Sequence, residues 1–374
     1  MISKSLIFIG FLLVLPGSLL SAQELYQDLQ GTWRAEVVEA TIPQTVTVPG
    51  TDVQNEVQTI TARFLEGGRQ GETVTFDNDY ILLETGDVFY LNYLITINGD
   101  ELYSVREIDR RWPMAVIGIL FVATILIFGG FQGLRSLVSL AGSLLVIVYI
   151  LVPTLVKGYS PILVSTLVAV AVLFCAIFFT HGFNRRSGIA FLGTILAVGL
   201  TGLLAYFSVT GASLTGFTSD DSIYLNLNTQ GQLDFVGLLL AGIIIGALGV
   251  LDDIAVTQVA VVRELFGAGK HLTKWEVYQK AIRVGKEHVG ALVNTLVLAY
   301  TGAALPLLLL FSLSPAGGMS IVNMEVFATE IIRALVGSIG LVLTVPITTL
   351  LAIFLLHNHL GPDDDSHAGH SHAL

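Results

Sequence analysis

The chain has 374 residues, of which 53% are hydrophobic and 13% charged, with a mean hydropathy of +0.76 and a net charge of -11. A soluble globular chain carries about 25% charged residues, so a wholly soluble protein is excluded, and the acidic balance argues against a nucleic-acid partner. The single cysteine, Cys175, sits in an apolar run and leaves no room for a disulfide framework or a cysteine-based zinc site.

At the N-terminus, Lys4 precedes an apolar stretch from Leu6 to Leu15, then Pro16-Gly17-Ser18 and the small pair Ser21-Ala22. This pattern predicts a signal peptide over 1–22, with a retained anchor helix as the alternative. Residues 23–111 look soluble. Thr45-Val46-Thr47-Val48 and Glu56-Val57-Gln58-Thr59-Ile60-Thr61 alternate polar and apolar residues, and Gly67-Gly68, Gly71, Asn78, Gly86-Asp87 and Asn98-Gly99-Asp100 supply turns. Residues 74–77 and 101–107 read as two further strands. Five or six short strands predict a small all-β extracytoplasmic domain, a barrel or a sandwich. It shows no nucleophile–base pair and no metal cluster.

The composition changes at Arg110-Arg111-Trp112. Seven apolar runs follow, over 112–130, 136–156, 160–180, 188–209, 233–253, 289–312 and 330–356. Roughly 20 apolar residues cross a bilayer as helix, and only helices satisfy their own backbone there. The expected fold is therefore an all-α polytopic membrane domain of about seven transmembrane helices, residues 112–356, behind the β domain. Trp112 and Tyr159 fit interfacial anchors. If the β domain is outside, the inner loops hold Arg135, Arg185, Arg186, Arg263, Lys270, Lys274, Lys280, Arg283 and Lys286, against Lys157 outside. That asymmetry puts the tail in the cytoplasm. The segment 254–287 has helix-like patterning with basic residues between, and is expected to lie along the inner membrane surface.

Polar residues are costly in lipid, so their positions carry information. In the fifth run, Gly242, Gly246, Gly249, Asp253 and Thr257 step by four, three, four and four and share a helical face; Asp252 points about 100° away. In the sixth, Gly290, Asn294 and Thr301 share a face, flanked by Thr295, Tyr300 and Gly302, with His288 at the inner entrance and Pro306 near the outer end. In the seventh, Glu330, Arg333, Gly337, Gly340 and Thr344 step by three, four, three and four, and Glu330 and Arg333 can pair. The first four runs hold almost no ionisable residue and read as frame.

Two readings of these stripes compete. The glycines Gly242, Gly246, Gly249, Gly337 and Gly340 suit close helix packing. Adding Asp253, Thr257, Asn294, Thr301, Glu330 and Arg333 turns the balance towards a polar path for a substrate or ion. Asp253 lies near the inner face and Glu330 near the outer one, so they need not share one site.

The blocks Gly246-Ala247-Leu248-Gly249 leading to Asp253-Ile254-Ala255-Val256, Gly285-Lys286-Glu287-His288-Val289-Gly290, Asn294 to Tyr300, and Ala328 to Gly340 resemble the YibE/F family of bacterial multi-pass membrane proteins. The resemblance covers nearly the whole mature chain. It implies a bacterial cytoplasmic-membrane location but no activity, and marks Asp253 as the family-like aspartate. Asp252 departs from the usual uncharged residue, and Lys286-Glu287 replaces a more typical Arg-Asp.

No P-loop and no H-E-x-x-H motif is present, and the Asp252-Asp253 pair lacks the second aspartate on another span that an intramembrane aspartyl protease needs. No enzyme and no cofactor is therefore expected. The tail 357–374 is rich in His and Asp. Its His367, His370 and His372 are candidate ligands for a divalent transition metal, although a solvated tail with weak, unselective binding is preferred. The functional expectation is a secondary transporter or permease for a small solute or ion. The alternative is a non-transporting scaffold or sensor that holds partners through its ectodomain. The bilayer is the one certain partner, and a second copy or another protein is the open one.

Overall fold

The computed structural model describes residues 30–47, 50, 54–96, 99–269, 272–313 and 317–356. The expected signal peptide and the His-rich tail, with His367, His370 and His372, lie outside the described residues. The chain divides into two compact units at Phe121/Val122.

The first unit is an antiparallel sheet of β1 (Gln30–Ala40), β2 (Gln44–Thr47), β3 (Gln54–Phe64), β4 (Thr73–Asn78), β5 (Val88–Ile95) and β6 (Glu101–Ile108). Its order is β2-β3-β1-β5-β6, and β4 pairs with β3. The alternation of β3 decides which face is inside: Gln58, Ile60, Ala62 and Phe64 are buried, packed with Ala35, Val37, Phe89 and Leu91. The sheet curls until its two ends approach, with the Phe76 ring of β4 lying 6.2 Å from the Tyr103 ring of β6. No β4–β6 ladder forms among the described residues, so it is an open barrel. Gln58 falls on the buried face because its period demands it. Its amide is satisfied by Leu83, donating to the carbonyl at 3.0 Å and accepting from the N–H at 2.7 Å. Gly67 turns the chain at φ +88 under the Trp33 ring, where a Cβ would stand 2.5 Å from ring carbon.

Helix replaces strand at the expected place. α1 (Arg111–Val146) begins three residues after β6 and breaks at Gly130, with φ 51 and ψ -136. Residues eight apart in a straight helix are about 12 Å apart along the axis. Here a Cβ on Gly133 would meet the Ile125 carbonyl oxygen at 2.5 Å, so the chain doubles back at Gly130. A π-turn over Ile147–Leu151 leads into α2 (Val152–Val156). Pro153 there lacks an N–H to give back to the preceding turn, which a widened turn accommodates.

α3 (Pro161–His181), α4 (Arg185–Gly211), the short α5 (Asp220–Asn228), α6 (Phe235–Ala268), α7 (Lys274–Ala303), α8 (Leu305–Ser312), α9 (Gly318–Val322) and α10 (Glu325–Leu356) follow. Asn184 caps α4 by accepting from Ser187 N, Asp234 caps α6 by accepting from Gly237 N, and Thr273 with Glu276 forms a capping box on α7. α4, α6 and α10 pack on one another, α3 packs on α6, and α7 packs on α10 and α6. Among the described residues five helices are long and apolar enough to cross a membrane, or six if α7 and α8, bent by 60°, count as one span. The chain is a membrane protein with an N-terminal antiparallel sheet.

The segment 254–287 does not lie along a surface as expected. It lengthens α6 to Ala268 and starts α7 at Lys274. Val259, Val262, Val277 and Ala281 are buried with Ile177, Ile189, Ala352 and Ile353. Its apolar period faces the bundle core, while Lys274, Lys280, Arg283 and Lys286 are exposed.

Candidate functional site

Three of the singled-out elements meet around Tyr300. Arg333 donates from one Nη to both carboxylate oxygens of Glu330, at 2.9 and 3.2 Å. The pair is half-buried, with 28% of each side chain exposed. Tyr300 of α7 lies within electrostatic range of both charges. A Cβ on Gly246 of α6 would stand 3.1 Å from the Tyr300 hydroxyl. One glycine of the α6 stripe, the tyrosine beside the α7 stripe and the ion pair of α10 therefore share one locality. Sequence reasoning set Tyr300 aside as a flanking residue because it lies off the Asn294–Thr301 line by a single step.

Asp253 belongs elsewhere. It is exposed, its N–H is held by the Asp252 carboxylate at 3.0 Å, and it lies in electrostatic range of His181 at the end of α3. Asp253 and Glu330 thus sit in separate neighbourhoods, as their depths suggested. Asn294 is exposed, and Thr301 is exposed with its hydroxyl donating to Val297 O at 2.8 Å within its own helix. Gly242 and Gly249 are also exposed, and a Cβ on either would meet nothing within 4 Å. The stripe shares a face as its period requires, but only Gly246 lies close under another helix.

The buried polar residues lie one helix further round. On α10, Thr329, Arg333, Gly337, Gly340, Thr344 and Thr348 step by four, four, three, four and four along one face. α4 faces it. A Cβ on Gly340 would collide with the Thr201 hydroxyl, and one on Gly193 would stand 2.7 Å from the Thr348 hydroxyl. Gly337 faces α7 instead, 3.3 Å from Leu296 measured the same way. Thr194, Thr201 and Thr344 spend their hydroxyls on the carbonyl four residues back, at 2.9, 2.7 and 2.8 Å. The Oγ1 atoms of Thr329 and Thr348 and the Nε of Arg333 are buried with no hydrogen-bond partner. From Thr329 to Thr348 the helix rises about 28 Å, close to the thickness of the hydrocarbon core.

Gln258 is the second residue that sequence reasoning missed. It is 1% exposed and accepts a hydrogen bond from Thr349 Oγ1 at 3.2 Å. Its side chain lies against buried Gly285 of α7. The α6 stripe pointed to Thr257, its neighbour. A glutamine inside an apolar helix was the available signal. α4, read as frame, contributes Ser187, Thr194 and Thr201, all buried. Hydroxyls in an apolar run barely register as polar.

Among the described residues no cluster of three or more His, Cys, Asp or Glu side chains is placed to hold a metal ion. A family model described as YibE/F-like protein matches residues 117–358. No curated protein and no solved structure matches the chain.

Proposed function

The chain belongs to the YibE/F-like family, and we propose that it is a secondary transporter that moves a small solute or ion across a bacterial cytoplasmic membrane. The α10 face carries the reading. A buried hydroxyl or guanidinium without a partner costs about 1–3 kcal/mol, and packing glue alone would have its hydrogen bonds satisfied. Thr329, Arg333 and Thr348 leave three such atoms along about 28 Å of one helix. Groups of that kind suit a cargo or water that takes up their hydrogen bonds in passing. The Glu330–Arg333 pair beside Tyr300 is the charged station at one end, with no catalytic role assigned.

The same reading takes seven crossings. We read the reversal at Gly130 as dividing 111–156, one apolar stretch of 46 residues, into two crossings of roughly 20 residues each. With α3, α4, α6, the bent pair α7–α8 and α10 they make seven. An odd number puts the β unit and the tail on opposite sides, and the Lys and Arg bias puts the β unit outside. Removal of residues 1–22 as a signal peptide belongs to this topology.

Flux into proteoliposomes across a panel of ions and small solutes, comparing wild type with Glu330→Gln and Thr348→Val, tests the proposal. Transport by wild type that either variant reduces tenfold or more supports it. No flux from wild type over the whole panel, or equal flux from all three, rejects it.

A further inference from the structure

At the end of the bundle where α3 hands over to α4, a pocket of about 170 Å³ opens between α3, α4 and α6. Its polar wall is His181, Asn184, Arg186 and Ser187; Val256 and Val259 of α6 form an apolar wall. A space of that size holds several waters, each about 30 Å³ in the liquid. Two of its lining residues, Ala190 and Val259, belong to the apolar cluster that also buries Val277 and Ala281 of α7.

We propose that this pocket binds a phosphate group, through Arg186, His181, the Ser187 hydroxyl and the N-terminus of α4. A helix N-terminus presents N–H groups without intrahelical partners and the positive end of its dipole. Asn184 Oδ1 takes the Ser187 N–H at 3.0 Å, which fixes the first turn. The independent observation is Ser187 itself. The residue is 3% exposed, it lines the pocket, and its Oγ is buried with no hydrogen-bond partner. Thr194 and Thr201 give their hydroxyls to the carbonyl four residues back, but Ser187, in the first turn, has no helical carbonyl at that position to take its own. A phosphate oxygen is the acceptor that this hydroxyl lacks, and a guanidinium supplies paired donors to the same group.

The turn is also held in shape in advance. Gly182 takes φ +81, and Asn184 Nδ2 donates to the His181 carbonyl at 2.8 Å. Phe183 stacks on Phe178, their centroids 5.1 Å apart, and Phe191 closes edge-on against Phe178 at 5.5 Å. A turn with this much internal packing loses little conformational entropy on binding. Asp253 lies in electrostatic range of His181 but does not line the pocket.

The phosphate has two sources with the same chemistry, an anionic lipid headgroup at that membrane surface and free orthophosphate. Neither depends on the α10 path. The full chain, purified in neutral detergent, is titrated with orthophosphate against chloride at matched ionic strength, reading the thermal midpoint. In parallel it is placed in nanodiscs of phosphatidylcholine with and without phosphatidylglycerol, and the lipid it retains is read by native mass spectrometry. A midpoint that rises with orthophosphate identifies free phosphate. Selective retention of phosphatidylglycerol without that rise identifies the headgroup. In either case Arg186→Gln and Ser187→Ala each weaken binding about tenfold or more, the loss of one charge-assisted hydrogen bond. Arg185→Gln removes an equal charge one residue away, outside the pocket lining, and leaves binding intact. No response in either arm overturns the proposal. So does a loss in Arg185→Gln equal to that in Arg186→Gln, which would reduce the effect to diffuse charge.

Discussion

Gly340→Ala and Gly249→Ala are the same substitution in two apolar helices, with opposite expected outcomes. In a helix interior alanine is favoured over glycine by about 1 kcal/mol. At Gly249 a Cβ meets nothing within 4 Å, so Gly249→Ala should gain up to that amount. At Gly340 the Cβ lands on Thr201 Oγ1 and reaches its Cγ2 at 3.0 Å. Thr201 is buried and β-branched, with few rotamers available to it. Its hydroxyl donates to Ala197 O at 2.7 Å. Turning the side chain away breaks that bond and buries an unpaired hydroxyl, at about 1–3 kcal/mol. Holding it forces α4 and α10 apart, at a similar overpacking cost of about 1–3 kcal/mol. After the propensity gain, Gly340→Ala should be neutral to destabilising by about 2 kcal/mol. It should therefore lie about 1–3 kcal/mol below Gly249→Ala. Removing the obstruction with Thr201→Ala should recover the loss, giving a coupling of about 1–3 kcal/mol in a double-mutant cycle. The assay is equilibrium unfolding in mixed micelles, with SDS as denaturant and helical circular dichroism as readout. Equal stability of the two single variants, or no coupling between positions 201 and 340, would refute the assigned α4–α10 contact.

Thr349→Val keeps the shape of the side chain and removes the donor to Gln258 Oε1; it should cost about 1–3 kcal/mol in the same titration, and no loss would mean that Gln258 is satisfied otherwise. Glu325 accepts from Thr215 N at 2.6 Å and Gly216 N at 2.7 Å, so Glu325→Ala should speed hydrogen exchange at those two amides while leaving exchange in mid-α4 unchanged. Asp109 is held well below the usual carboxylate range by hydrogen bonds and charge from Arg111, with Arg34 Nε also 3.1 Å away. Its unfolded value is about 3.9, so its contribution is complete above that pH and disappears as pH falls through the lower folded value. Trp33 fluorescence, with Trp112 and Trp275 replaced by Phe, should show wild-type stability falling with acid below about pH 4; Asp109→Asn should lose that part of the slope and be the less stable at neutral pH. An unchanged slope in Asp109→Asn would assign the acid sensitivity to other groups.

Much of the architecture is written locally and needs no knowledge of neighbours. Alternation at period two placed the buried face of β3, and the described residues of the four strand segments read from the sequence all lie in strands. The change at Arg110–Trp112 marks where sheet gives way to helix, because it reflects which solvent each segment can tolerate. Helical spacing also put the α6 glycines on one face and Glu330 within reach of Arg333, since both follow from 3.6 residues per turn.

What period alone leaves undetermined is the direction in which a face points within the bundle. The α6 and α10 glycine stripes have the same spacing, yet Gly340 lies against Thr201 while Gly242 and Gly249 face open space. The sequence likewise marked Thr257 where packing buried Gln258, and treated the fourth run as frame although α4 supplies the hydroxyls opposite α10. The reason is physical: a helix carries its own angular order, but the rotation of that helix against its neighbours is chosen by side-chain volumes on all of them together. Composition and period determined that this chain spans a membrane and which residues share a face. Only tertiary packing decided which of those faces meet, and so which polar atoms are buried without partners.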